Sequence, residues 1–104
     1  MDKEKVRKIV QEYAQLVSTK MKVNKIILYG SYARGDFRAN SDIDVAVVVS
    51  KKNVSKDIIK QMGQLVRLTR GISFDIEPVL LIEEDDRSGF LESISQYGEI
   101  VYVK

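Results

Sequence analysis

Val6, Ile9, Val10, Tyr13, Leu16 and Val17 recur at i, i+3, i+4 and i+7, with lysine, arginine, glutamate and glutamine between them. Such a stripe predicts an amphipathic helix from about Lys3 to Met21. The period then changes. Val23 to Tyr29 (VNKIILY) is apolar and β-branched and stops at Gly30, which reads as a first strand. Ser31 to Arg34 fits one helical turn, and Gly35 to Ser41 (GDFRANS) is rich in turn formers. Asp42 to Val49 is the second strand, and its VAVVV run is apolar at every position, as in a strand buried on both faces. Ile58, Met62, Leu65, Val66 and Thr69 mark a second long helix from about Ser55 to Arg70, closed by Gly71. Ile72 to Leu81 (ISFDIEPVLL) reads as a third strand, whose Pro78 argues for a sheet edge or a bulge. Phe90, Leu91, Ile94 and Tyr97 predict a last helix ended by Gly98, and EIVYV adds a final strand. The order α-β-turn-β-α-β-α-β implies an α/β (α+β) fold, a small mixed sheet with flanking helices.

Length and composition narrow the chemistry. At 104 residues, 44% apolar and 31% charged, residues 1–104 fit one small globular domain, with no room for a second one to hold a substrate. There is no cysteine and no histidine. Thiol nucleophiles, disulfides, His- or Cys-based zinc sites and imidazole acid–base catalysis are thereby excluded. A metal must be held by oxygen, which favours magnesium or manganese. A net charge of +2, with both signs mixed along the chain, gives no strong nucleic-acid signal. MDKEKVRKIVQEY has no continuous apolar stretch, so no signal peptide or membrane span is expected, and the cytoplasm is the expected location.

Two features remain as candidate chemistry. Asp42 and Asp44 are two apart on a strand, so their side chains share a face about 7 Å apart along the backbone. At the rim of a buried strand two carboxylates repel, and a divalent cation would offset the repulsion. A third ligand is expected from an adjacent strand. Asp75 is the candidate, with Glu77 on the same face in reserve. The other feature is Gly30-Ser31, a strand end followed by a helical turn. Glycine permits close approach of a phosphate, and the turn offers backbone N–H groups and a hydroxyl. Arg34, three residues on, reaches toward the same phosphates.

The combination is more specific than its parts. Gly30-Ser31, ten residues from Tyr32 to Ser41, then Asp42-Ile43-Asp44, resembles the signature of the polymerase-β-like nucleotidyltransferases. GSYARGDFRANSDID is similar to the minimal nucleotidyltransferases of bacteria and archaea, and the resemblance runs from the first helix to the terminal IVY. It implies the fold of that superfamily and a site in which Gly30, Ser31 and Arg34 bind the phosphates of ATP. Asp42 and Asp44 would hold two magnesium ions (or manganese). Asp75 would complete the metal set and accept the proton of the attacking hydroxyl. The implied reaction is transfer of AMP with loss of pyrophosphate.

Larger relatives carry an acceptor-binding domain that this length excludes. Minimal members resemble the antitoxins of toxin–antitoxin pairs, whose partner is a helical protein of HEPN type. The resemblance therefore implies an acceptor hydroxyl on a partner protein. The alternative is a non-catalytic binding module of the same fold that neutralises or regulates a partner by association. Its support is a small sheet with few helices to cover two apolar faces, which predicts homo- or hetero-oligomer contacts.

Overall fold

Val45 to Val49 are all fully buried, and the architecture follows from what it takes to bury them. The computed structural model describes residues 2–104. Helix α1 (Lys3–Lys20) leads to strand β1 (Lys25–Tyr29), the short helix α2 (Ser31–Arg34) and strand β2 (Ile43–Val49). A 3-10 turn (Lys51–Asn53), helix α3 (Ile58–Thr69), strand β3 (Ile76–Ile82), helix α4 (Phe90–Tyr97) and strand β4 (Glu99–Val103) follow. The sheet order is β3-β2-β1-β4. β1 pairs antiparallel with both β2 and β4, whereas β2 and β3 are parallel. A parallel neighbour needs a crossover, and α3 supplies it.

The alternation of side chains sorts β2 into two cores. Ile43, Val45, Val47 and Val49 pack with Ile26 and Leu28 beneath Val6, Val10, Tyr13 and Val17 of α1 and Leu65 of α3. Tyr13 anchors that layer by donating its buried hydroxyl to the Leu65 carbonyl at 2.7 Å. Ala46 and Val48 face the other way, with Ile27 beneath Leu91 and Ile94 of α4. Each fully buried side chain of this size contributes about 1.5–3 kcal/mol. Both faces of β2 are thus covered within the chain. The large apolar side chains left most exposed are Ile59 at 78% and Phe74 at 81%, at α3 and the turn after it.

The elements agree with the sequence reading, and the ends differ for local reasons. Helix α1 stops one residue early, with Met21 extended as its cap. Helix α3 starts at Ile58 because Asp57, not Ser55, caps it by accepting the Lys60 N–H. Strand β3 starts at Ile76, four residues later than the apolar run suggests. The amides of Ile72 and Ser73 both turn back to the Thr69 carbonyl, so the segment from Gly71 to Asp75 is a turn and not a strand. Pro78 marks an edge, since β3 lies at the end of the sheet, and the bulge falls between β1 and β4 at Ile26/Ile27.

Candidate active site

The phosphate-turn candidate sits where β1 ends. Gly30 has φ +73 and ψ −153, a region essentially restricted to glycine, and a Cβ there would overlap Asp44 Oδ2. The helix it opens is minimal. Arg34 N–H bonds the Gly30 carbonyl at 3.0 Å and Gly35 N–H bonds the Ser31 carbonyl at 2.9 Å, with Gly35 left-handed at φ +91. The first amides of such a turn have no partner inside it. The loop that follows is clipped back by Phe37 stacking on buried Tyr32, centroids 4.5 Å apart. A tight turn from Arg38 to Ser41 then returns the chain to Asp42.

The carboxylates lie on the α4 face, the one carrying Ala46 and Val48. Register places Asp44 in a row across three strands, with Tyr29 of β1 on one side and Glu77 of β3 on the other. Burial first, then the charges of Glu77 and Asp42, hold the Asp44 carboxyl above its usual range, and Arg34 opposes them. Tyr29 is pushed up to about 12, mainly by burial and then by Asp44, Tyr97 and Glu77. These groups therefore share one small volume.

Of the residues singled out in the sequence, Gly30, Asp42, Asp44 and Arg34 come together here, and Ser31 opens α2 beside them. Asp75 is different. It is exposed in the turn before β3, where its carbonyl accepts the Ile43 N–H at 2.8 Å and its own N–H donates to Ser73 Oγ at 3.2 Å. Its backbone thus ties β3 to the head of β2, but of Asp75 and Glu77 it is Glu77 whose charge, with that of Asp42, acts on Asp44. Among the described residues no three Asp, Glu, His or Cys side chains are gathered into a ready metal set. The donor chemistry nevertheless fits a hard divalent cation, because all donors are carboxylate oxygens and Asp44 bears the repulsion of two neighbours.

Two aromatic members were not legible as site residues. Tyr29 reads only as the last residue of an apolar strand and Tyr97 only as the inner face of a helix. The Tyr97 hydroxyl oxygen accepts the Gly30 N–H at 3.2 Å, and the Arg34 guanidinium stands 5.8 Å from its ring centroid.

A glycine turn pressed against a strand-borne carboxylate, on a mixed four-stranded sheet, defines a nucleotidyltransferase fold. Residues 5–104 match the family described as "Polymerase beta, Nucleotidyltransferase", and the chain belongs to that enzyme family. A Methanocaldococcus jannaschii protein named "Putative protein adenylyltransferase" is 30% identical, covering 86% of this chain and 92% of its own. The crystal structure of a chain named "putative nucleotidyltransferase" from Sulfolobus solfataricus superposes with a TM-score of 0.74 at 19% identity, covering 98% of this chain and 84% of that one. A chain of a toxin–antitoxin crystal structure with AMP-PNP superposes with a TM-score of 0.60 at 21% identity, covering 100% and 75%. Among the described residues no helix is long and apolar enough to cross a membrane.

Proposed function

We propose that the protein transfers AMP from ATP, with magnesium, to a hydroxyl on a partner protein, in the manner of an antitoxin acting on a helical toxin of HEPN type. The observation that carries this reading is the contact between the two halves of the signature. Asp44 Oδ2 occupies the space a Cβ on Gly30 would need, so phosphates held at the Gly30-Ser31 turn lie against the carboxylates. Asp42 and Asp44 would hold magnesium, which would supply charge neutralisation of the phosphates. Gly30, Ser31 and Arg34 hold the phosphate tail and orient the α-phosphate for in-line attack. The acceptor oxygen bonds to that phosphorus as the bond to pyrophosphate breaks, and the acceptor proton passes to a carboxylate at the head of β3. Asp75 and Glu77 both stand there, and the strand register supports Glu77.

The acceptor on a second protein is supported by the surface beside the site. A groove of about 570 Å³ between α3 and β3 is walled by Val66, Phe74 and Pro78 and runs up to Glu77. Relatives named as protein adenylyltransferases, and a fold neighbour taken from a toxin–antitoxin structure with AMP-PNP, support the same reading. The exposed apolar residues equally suit the alternative, association without catalysis. Incubation of the purified chain with α-labelled ATP, magnesium and the product of the neighbouring gene separates the two. Label on the partner, lost in Asp44→Ala, is expected. Full neutralisation of the partner by Asp44→Ala, with no label transferred by the wild type, would establish the non-catalytic module instead.

A further inference from the structure

Helix α4 reaches the site through Gly98. Gly98 has φ −72, open to any residue, so its backbone angles do not call for glycine. Space does. A Cβ would stand 2.5 Å from the Ile94 carbonyl oxygen, 2.6 Å from Ile27 Cγ2 and 3.0 Å from the Leu28 carbonyl oxygen. The last turn of α4 therefore rests directly on β1, just upstream of Gly30, and lays the preceding residue, Tyr97, over the phosphate turn.

The hydrogen-bond arithmetic of Tyr97 is unfinished. A phenol accepts and donates. The Tyr97 oxygen accepts the Gly30 amide at 3.2 Å, and among the described residues no oxygen takes its proton. Accepting an N–H polarises the phenol and makes its O–H a stronger donor. Arg34 stands over the same ring, 5.8 Å from its centroid, and Tyr97 lies near enough to Tyr29, the strand partner of Asp44, to act on its ionisation. Its hydroxyl thus offers a free O–H donor directly at the Gly30 turn.

We propose that Tyr97 is a substrate-binding residue whose hydroxyl donates to a phosphate oxygen of the nucleotide held at Gly30-Ser31, while its ring holds Arg34 toward the same phosphates. The inference rests on the nucleotide reading of the site given above. The test is calorimetry of the full chain with magnesium–ATP and with magnesium tripolyphosphate, for the wild type and Tyr97→Phe. The variant keeps the ring and its contact with Arg34. Loss of one hydrogen bond to a charged acceptor predicts affinity about 10- to 100-fold weaker for both ligands, with a melting temperature lowered by no more than about 5 °C, the cost of the Gly30 hydrogen bond that the variant also gives up. In the wild type, tripolyphosphate should also shift the Tyr97 ring and Gly30 amide resonances, a signature that needs no variant. Wild-type binding with Tyr97→Phe within twofold, or tighter, and with those resonances unmoved, overturns this inference alone. Failure of the wild type to bind either ligand overturns the nucleotide reading and this inference with it.

Discussion

Replacing Gly98 by alanine adds one methyl group, and the structure says where it must go. Two of its three close neighbours are backbone carbonyl oxygens, at 2.5 Å and 3.0 Å. Neither is free to move. The Ile94 carbonyl accepts the Gly98 N–H at 2.7 Å at the end of α4, and Leu28 is paired with Val45 on one side and Glu99 on the other. The third neighbour, Ile27 Cγ2, belongs to a fully buried side chain packed with Ala46, Val48 and Ile94. Overpacking of this kind costs about 1–3 kcal/mol, and rigid backbone neighbours put Gly98→Ala in the upper half of that range. For a chain of this length, 2–3 kcal/mol lowers the melting temperature by about 9–14 °C. The assay is thermal unfolding followed by far-ultraviolet circular dichroism. Gly71→Ala is the control, because nothing lies within 4 Å of a Cβ there and its φ is not in the left-handed range. It should melt at or slightly above the wild type. If Gly98→Ala melts within about 2 °C of Gly71→Ala, the close approach of α4 to β1 is not a constraint on the fold, and the placement of Tyr97 argued from it fails.

Gly30→Ala should lower stability by at least about 2 kcal/mol, from backbone strain and overlap with Asp44, and should abolish ATP binding in calorimetry. Gly35→Ala, strained at φ +91 but with open space around it, should keep ATP binding, and equal loss in the two variants would contradict the contact argument. Burial and like charges raise the pKa of Asp44, so the fold is favoured while that carboxyl is protonated and loses this contribution as pH rises through the raised value. Asp44→Asn should therefore melt higher than the wild type at pH 7, by no more than about 1 kcal/mol for a partly exposed group, and the gain should vanish near pH 3. A gain of the same size at both pH values would refute the assignment. Glu77→Gln should slow AMP transfer by about 100-fold or more, as loss of a proton acceptor does, while Asp75→Asn should slow it less than about 10-fold. Single-turnover label transfer checks this, and the reverse ranking would return the role to Asp75.

Much of the fold was readable because each element declared its own period. The 3.6-residue stripe of α1, the apolar VAVVV of β2 and the Gly98 stop of α4 are local signals, and local structure obeyed them. The boundaries that moved did so through contacts several residues away, such as the Thr69 carbonyl collecting two amides and thereby delaying β3. The site was half legible. Gly30 and Asp44 stand out as residue types at a fixed spacing, and they do touch. The choice between Asp75 and Glu77 was not legible, because it depends on how β3 registers against β2, and both residues lie on one face of the run. The shift of β3 to Ile76 leaves Asp75 in a turn and sets Glu77 opposite Asp44. Tyr97 carried a helix signal but none as a site residue. Its place at the Gly30 turn follows from the packing of Gly98 on β1, a contact between segments separated by about seventy positions.

That separation bears on when the site comes into being. Gly30, Asp42 and Asp44 lie in the first half of the chain, on a β1–β2 pair that closes over a short loop. β3 joins through a helical crossover, and Tyr97 arrives only with the pairing of β1 to β4. Distant pairings are the slow and late steps of folding. A nascent chain still short of residue 97 therefore displays the signature residues without the α4 cover that completes their surroundings. The surroundings of the signature residues are therefore complete only in the finished tertiary structure, once α4 and β4 have docked on β1.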